Sequence, residues 1–263
     1  MPELPEVESV RRQLAPELTG RQVVGVDHVP QRRFVNLDRL AGHMVLGVRR
    51  RGKFLLCPLD DGLELVANLG MTGSLHFGPA DDYARAQLLL DDGRQLNYRD
   101  PRRFGRLAVV PAGDYTSIPT LAMLGPEPLT DEFHPDGFAR ALAATTAPVK
   151  AVLLGQRAVA GVGNIYADEA LWRAKIHPAS RRVGWRRALM LHSAIREVLS
   201  ESIEREGTTF RDYRMVNGES GRNADFLQVY GHAGRACQRC GTELRRIVVA
   251  QRGTTYCATC QRP

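Results

Sequence analysis

The chain has no apolar run long enough to span a membrane, which argues against a helical membrane protein. Its first residues are acidic and lack the basic start and apolar centre of a secretory signal. A cytoplasmic, reducing setting is therefore expected, where paired cysteines suggest metal before disulfide. Cysteine itself is scarce, with five in 263 residues. Lysine is scarcer still: Lys53, Lys150 and Lys175 stand against 33 arginines. A GC-rich coding sequence explains that bias without any function. The surviving lysines still matter, because lysine is a compact charge that can give up its proton and arginine cannot. Internal repeats and low-complexity tracts are absent.

What is present suits a soluble globular protein of two domains, with an apolar fraction of 43%. The charge is uneven. Residues 1–180 balance, whereas residues 181–263 hold 15 arginines against 8 acidic residues. The whole excess of +7 lies in the last third, which implies a polyanionic partner there, against the simpler reading of a generic basic surface.

The chain opens Met1-Pro2-Glu3-Leu4-Pro5-Glu6-Val7-Glu8. The simplest reading is a helix start, since proline fits the first turn and carboxylates complement the helix dipole there. A second reading uses the end of the chain. Proline at position 2 is small enough for the initiator Met1 to be removed, leaving a secondary amine beside Glu3. An α-amino group has a reference pKa of about 8 against about 10.4 for lysine, so it offers roughly two orders of magnitude more free amine at neutral pH. Such an amine can attack a sugar carbon and form an iminium, an electron sink.

Leu4, Val7, Val10, Leu14 and Leu18 recur at steps of three or four, so residues 3–18 read as an amphipathic helix ending near Thr19-Gly20. Strands are predicted at 22–29, 44–59, 63–69, 74–77, 87–90, 94–98 and 106–110, with hairpin turns at Asp60-Asp61-Gly62 and Asp91-Asp92-Gly93. The fold class is thus α+β: a helix packed on a β-sandwich over residues 1–111, then a linker at 112–130 rich in Pro, Gly, Ser and Thr. Helices follow near 131–144, 148–157, 164–175 and 186–205, with Asn164 a good N-cap after Gly161-Val162-Gly163. Residues 207–225 have little apolar content and read as a long mobile loop.

The sharpest signal is Cys237-x2-Cys240-x16-Cys257-x2-Cys260, a four-cysteine zinc spacing. Stretches 245–251 and 254–257 read as a hairpin turning at Arg252-Gly253, with arginine at its tip. Four thiolates leave no open position, so the expected Zn2+, one per chain, is structural. Cys57 lies in an apolar stretch and reads as core.

These residues carry a resemblance. The opening Met1–Glu8 stretch, Asp100-Pro101-Arg102-Arg103-Phe104-Gly105, Leu124-Gly125-Pro126-Glu127-Pro128-Leu129, Gly161-Val162-Gly163-Asn164-Ile165-Tyr166-Ala167, Leu227-Gln228-Val229-Tyr230-Gly231 and the four cysteines occur in order from end to end. Together they resemble the bacterial formamidopyrimidine-DNA glycosylases, which form a superfamily with endonuclease VIII. The resemblance implies a β-sandwich, a helix–two-turn–helix module over 131–230 with a lesion loop at 213–225, and a zinc finger over 231–263. It also implies a monomer that acts on damaged double-stranded DNA at the bacterial nucleoid.

By that resemblance Pro2 would attack C1′ of an oxidised purine nucleotide such as 8-oxoguanine or a formamidopyrimidine, and β,δ-elimination would then cut the strand. Glu3 would protonate the sugar ring oxygen, Glu6 would help hold the catalytic end in place, and Lys53 would match a strand lysine near the lesion. Lys150, Asn164 and Arg252 would grip phosphates, helix N-termini being suited to anions. Met71, Arg102 and Phe104 would fill the gap left by a flipped base, because everting a base leaves a hole in the stack. Asn68 stands where many relatives carry histidine; it can donate a bond to a phosphate but adds no charge. Two alternatives stay open on sequence: an endonuclease VIII-like enzyme for oxidised pyrimidines, and a non-enzymatic zinc-ribbon DNA-binding protein. The presence of Pro2, Glu3 and Lys53 argues against the second.

Overall fold

A computed structural model describes residues 2–209 and 214–262. Two compact units result: residues up to Ala122 together with Arg205–Ala224, and Met123–Glu204 together with Asp225–Pro263. Among the described residues, no helix is long and apolar enough to cross a membrane.

The first unit begins with helix α1, Leu4–Leu18. Pro5 sits in its first turn, and Leu4, Val7, Val10, Leu14 and Leu18 all face inward, at most 1% exposed. Burial of each such side chain contributes roughly 1.5–3 kcal/mol. The strands are β1 (Val23–His28), β2 (Phe34–Val35), β3 (Arg49–Arg51), β4 (Phe54–Pro58), β5 (Leu63–Asn68), β6 (Ser74–Phe77), β7 (Ala84–Leu90), β8 (Gln95–Arg99) and β9 (Arg106–Pro111). They form a four-stranded sheet ordered β1-β7-β8-β6 and a five-stranded sheet ordered β2-β9-β5-β4-β3. Val7, Val10, Leu14 and Leu18 share one apolar core with both sheets. A short helix α2, Pro119–Ala122, closes this stretch of the unit.

The single strand expected at 44–59 is instead two. Arg51 pairs with Phe54 across Gly52-Lys53, and Gly52 takes a φ of +55°, a left-handed conformation that suits glycine in a tight turn. The lysine read as a strand residue therefore sits in a hairpin turn. Both aspartate-rich turns form where expected, with Gly62 and Gly93 at φ +80° and +82°. Strand β2 and the 3-10 turn Leu37–Leu40 escape the sequence pattern because they are too short to show a period.

Of the loop expected at 207–225, residues 210–213, and so its lesion-loop start at 213, lie outside the described residues, as does Met1. The described remainder is anchored rather than loose. Met215 is buried in the sandwich core. Asn223 is 2% exposed and donates to Thr208 Oγ1 at 2.9 Å.

The second unit contains α3 (Pro135–Ala143), α4 (Val149–Leu154), α5 (Asn164–Arg173) and α6 (Trp185–Glu204). Strands β10 (Leu244–Val249) and β11 (Arg252–Cys257) form its hairpin. Gly163 caps α5, so Asn164 is the first helical residue rather than the N-cap. The hairpin turns at Ala250-Gln251, both with positive φ, not at Arg252-Gly253. Arg252 opens β11, paired with Val249.

Candidate active site and nucleic-acid interface

Pro2 and Glu3 are both buried where the chain enters α1. Glu6, one turn along, has no solvent exposure. Its carboxylate accepts the Glu3 backbone N–H at 2.7 Å and the Thr208 N–H at 2.6 Å. These charge-assisted bonds fix the first turn and hence the path of Pro2 and Glu3. Glu6 thus ties the start of α1 to the backbone at Thr208, the holding role expected of it at the catalytic end. Gly207 packs against it: a Cβ there would lie 2.7 Å from Glu6 Oε1.

Lys53 is buried in its turn, 9% exposed, which excludes a solvated basic strand face. Asn68 donates from Nδ2 to the Lys53 carbonyl at 2.9 Å and accepts from Gly70 N–H at 3.2 Å. The amide expected to touch a phosphate is therefore engaged in tying the Lys53 turn to the loop that carries Met71. Met71 is half-buried, and Arg102 and Phe104 are exposed, Phe104 by 41%. The Arg102 guanidinium lies 4.8 Å from the Phe104 ring centroid. An exposed phenylalanine with a stacked guanidinium is poor core material and suits intercalation between bases.

In the second unit Lys150 is held among protein groups. It is fully buried, and its ammonium donates to Asp168 Oδ1 at 2.6 Å, Thr254 Oγ1 at 2.8 Å and the Gly253 carbonyl at 3.4 Å. These bonds clamp β11 onto α4 and α5. Asp168 also accepts the Thr255 N–H at 3.0 Å. Burial pushes the Asp168 carboxyl up to about 6, against the pull of Lys150.

Asn164 starts α5 and donates from Nδ2 to the Gly253 carbonyl at 3.2 Å. It lines a cleft of about 400 Å³ with Tyr230, Gly231, Arg246, Gly253 and Thr255. No carboxylate among the described residues lines that cleft, and the positive end of α5 opens into it. The Arg246 and Arg252 guanidinium groups are exposed and have no hydrogen-bond or ion-pair partner among the described residues. A helix N-terminus beside the Arg246 guanidinium suits an anion.

Tyr230 reaches this cleft through Glu169, which sequence reasoning passed over. The buried Glu169 carboxylate accepts the N–H groups of Gln228, Val229 and Tyr230 at 2.8–2.9 Å. Burial raises its carboxyl, and those three donors oppose the rise. Arg246 was also passed over. The two-residue alternation along β10 places it on the face of Gly253, and that is the signal that finds it: a Cβ on Gly253 would lie 3.0 Å from its guanidinium.

The metal-ligand atoms of Cys237, Cys240, Cys257 and Cys260 all lie within 4.8 Å of one another. Four Zn–S bonds of about 2.3 Å in a tetrahedron need sulfurs about 3.8 Å apart, so the donor set fits zinc. Trp172 of α5 donates its indole N–H to Cys237 Sγ at 3.4 Å and packs with Val229, Leu244 and Cys257. The Arg239 guanidinium lies 4.0 Å from the Trp172 ring centroid. The zinc ribbon and α5 therefore share one small core. Among the described residues His43, Asp60 and Asp61 form a second, exposed cluster.

Three family models match the sequence. "Formamidopyrimidine-DNA glycosylase N-terminal domain" covers residues 1–107, "Formamidopyrimidine-DNA glycosylase H2TH domain" covers 124–214, and "Zinc finger found in FPG and IleRS" covers 234–263. The formamidopyrimidine-DNA glycosylase of Thermus thermophilus is 49% identical over 99% of this chain and 98% of its own. The crystal structure of the MutM (Fpg) protein from the same species superposes with a TM-score of 0.95 at 48% identity, covering 99% and 98% of the two chains. A Lactococcus lactis Fpg variant in complex with Fapy-dG-containing DNA superposes with a TM-score of 0.92 at 34% identity, covering all of both chains. The same values hold for MutM in complex with DNA containing carbocyclic 8-oxo-G.

Proposed function

We infer the activity from one premise: the chain belongs to the formamidopyrimidine-DNA glycosylase family. It is a DNA glycosylase and AP lyase that removes oxidised purines, 8-oxoguanine and formamidopyrimidines, from duplex DNA. It holds a structural zinc ion. We place its action at the bacterial nucleoid, where that substrate lies.

The observation that carries the residue assignments is the terminus held by Glu6. We propose that Pro2, freed of Met1, attacks C1′ through its secondary amine. The C1′–N9 bond breaks, and the proton that the amine gives up leaves with the base. Glu3, next along the chain, gives a proton to the sugar ring oxygen, which opens the ring as the C1′ iminium forms. The iminium acidifies the C2′ proton, and its loss expels the 3′ phosphate by β-elimination. A further proton loss from the conjugated product expels the 5′ phosphate by δ-elimination. Hydrolysis of the iminium then returns the free amine.

Binding divides between the units. In the first, Met71, Arg102 and Phe104 fill the hole left by the everted nucleotide, and Lys53 supplies charge near the reacting sugar. In the second, Asn164, Tyr230, Arg246 and Arg252 offer donors to backbone phosphates. Phosphate contacts fix register and carry no sequence information, as suits a repair enzyme that meets lesions anywhere.

The test incubates the protein with 8-oxoguanine, formamidopyrimidine and oxidised-pyrimidine duplexes, with borohydride to trap the iminium. Fastest excision of the purine lesions, with one covalent adduct per chain at Pro2, is expected. A preference for oxidised pyrimidines would overturn the substrate assignment, and an adduct on a lysine would overturn the nucleophile.

A further inference from the structure

The three side chains assigned to duplex insertion sit on two loops, Met71 between β5 and β6 and Arg102 and Phe104 between β8 and β9. Those loops are joined by a buried polar stitch. Asp100 has no solvent exposure, and Thr72 has 4%. The Thr72 hydroxyl donates to Asp100 Oδ1 at 2.7 Å and accepts the Arg102 backbone N–H at 3.3 Å. The other oxygen of Asp100 accepts the Gly105 N–H at 2.8 Å. One carboxylate thereby spans the loop holding Arg102 and Phe104 and binds it to the residue after Met71.

The backbones confirm the joint. A Cβ on Gly70 would lie 2.7 Å from both Gly105 N and Phe104 C, so the loops touch with no room for a side chain. Gly105 is held as closely from the other side, where its Cβ would overlap the Tyr98 hydroxyl. Arg103 takes a φ of +55° while donating to the Asp100 carbonyl at 3.3 Å, which turns Arg102 and Phe104 outward. The Arg33 guanidinium and the Gln31 amide hold the Phe104 and Arg103 carbonyls.

We propose that Thr72 and Asp100 are positioning residues for base eversion: they lock Met71, Arg102 and Phe104 into one preformed wedge. The proposal rests on the reading that these three side chains enter the duplex. Two independently moving loops would each lose conformational freedom at the moment of insertion, when the base pair is also being broken. Loops already stitched lose far less, so the binding energy goes into unstacking. Neither Thr72 nor Asp100 needs to touch DNA.

The experiment compares one strand carrying a natural abasic site, used single-stranded and annealed, and measures borohydride trapping under single-turnover conditions. The single strand presents an unpaired sugar that needs no wedge. Thr72→Val keeps the shape of the side chain but can neither donate to Asp100 nor accept from Arg102. We expect it to lower the duplex rate roughly ten-fold, the scale of one lost buried hydrogen bond, and to leave the single-strand rate within about two-fold of wild type. Thr72→Ser should restore the duplex rate, because serine makes both bonds. Asp100→Asn should shift the duplex-to-single-strand ratio in the same direction as Thr72→Val.

Met71→Ala supplies the reference ratio. Duplex-selective loss in Met71→Ala without it in Thr72→Val would overturn the stitch and leave the wedge standing. Equal loss on both substrates in Thr72→Val would likewise overturn it, showing a general structural role. No duplex-selective loss in Met71→Ala would remove the wedge reading and this inference together.

Discussion

Thr208 donates its backbone N–H to the Glu6 carboxylate at 2.6 Å, although the two residues are 202 positions apart. The same carboxylate accepts from Glu3 at 2.7 Å. A single buried group therefore joins the start of the chain to the segment that returns from α6. A distant stretch of backbone thereby completes the first turn of α1.

Glu6→Gln tests that join. It puts an amide N–H2 where one oxygen now accepts, so one backbone N–H loses its partner and faces a donor. The cost is about 1–3 kcal/mol. A melting temperature lower by several degrees is expected, with slower borohydride trapping at unchanged duplex affinity. Calorimetry and a trapping time course check it. Unchanged melting and trapping would show that the Glu6 bonds do not position the terminus.

For the nucleophile, a form retaining Met1 should lose covalent trapping and Pro2→Gly should slow it, both keeping most duplex binding. Pro2→Gly leaves a primary amine that gives a different, less persistent iminium, and a retained Met1 buries the nitrogen in a peptide bond. Trapping gels and a binding titration suffice. Normal trapping by the Met1-retaining form would point to a lysine, with Lys53 the first to examine.

Much of this was legible in the sequence because it is local. The helical period from Leu4 to Leu18, the Asp-Asp-Gly turns and the paired cysteines each declare themselves within a short window. The departures share a different cause. The partners of Lys150, Asp168 and Thr254, lie 18 and 104 residues away, and no window holds them together. Asp100 sits in a charged, surface-like motif, yet it is buried and accepts from Thr72 and Gly105. The zinc hairpin turns on Ala250 and Gln251, where no glycine marks the place. The nearby Gly253 instead makes room for Arg246.

Removal of zinc should be visible at Trp172. Its indole is 8% exposed and bonded to Cys237, whereas Trp185, the other tryptophan, is 50% exposed. Metal binding and folding are coupled in small thiolate sites. In a Trp185→Phe background, chelation should shift the emission to the red and abolish duplex binding, and added zinc should reverse both. Native mass spectrometry should show one zinc per chain. Full binding by a metal-free preparation would remove the structural role.

The Lys150–Asp168 pair gives a prediction with a definite sign. Asp168 titrates in the folded protein near 6, above its unfolded value of about 3.8. The folded state then binds more protons between those values. The Asp168 contribution to stability is fully present below about 3.8 and is lost as pH rises through about 6. Asp168→Asn removes this dependence, so the stability of the variant relative to wild type should rise between pH 4 and pH 7. Lys150→Met alone leaves a buried carboxylate uncompensated and should cost roughly 3–5 kcal/mol at pH 7. Adding Asp168→Asn should recover much of that loss. Urea unfolding of the four proteins at both pH values measures the cycle, and strictly additive losses would show that the pair is not coupled.

Arg252 separates binding by charge from chemistry by position. It opens β11 after the Ala250-Gln251 turn, paired with Val249, and is exposed. The turn needs nothing from it, and no carboxylate among the described residues takes up its charge. Lys150 holds the adjoining Gly253-Thr254 stretch down onto α5, so the guanidinium stands on a fixed base. A phosphate contact there adds sequence-independent affinity through counterion release. A contact that also holds the extruded nucleotide speeds excision. Arg252→Ala should therefore keep zinc and fold, weaken lesion-duplex binding, and make the log–log salt slope shallower by roughly one unit. Single-turnover excision at saturating enzyme should fall as well. Arg246→Ala, three ladder pairs further along the hairpin, should change the salt slope by a similar amount if both arginines meet phosphates. An unchanged slope and excision rate in Arg252→Ala would make that residue a solvated surface arginine, and a changed slope with unchanged excision would confine it to binding.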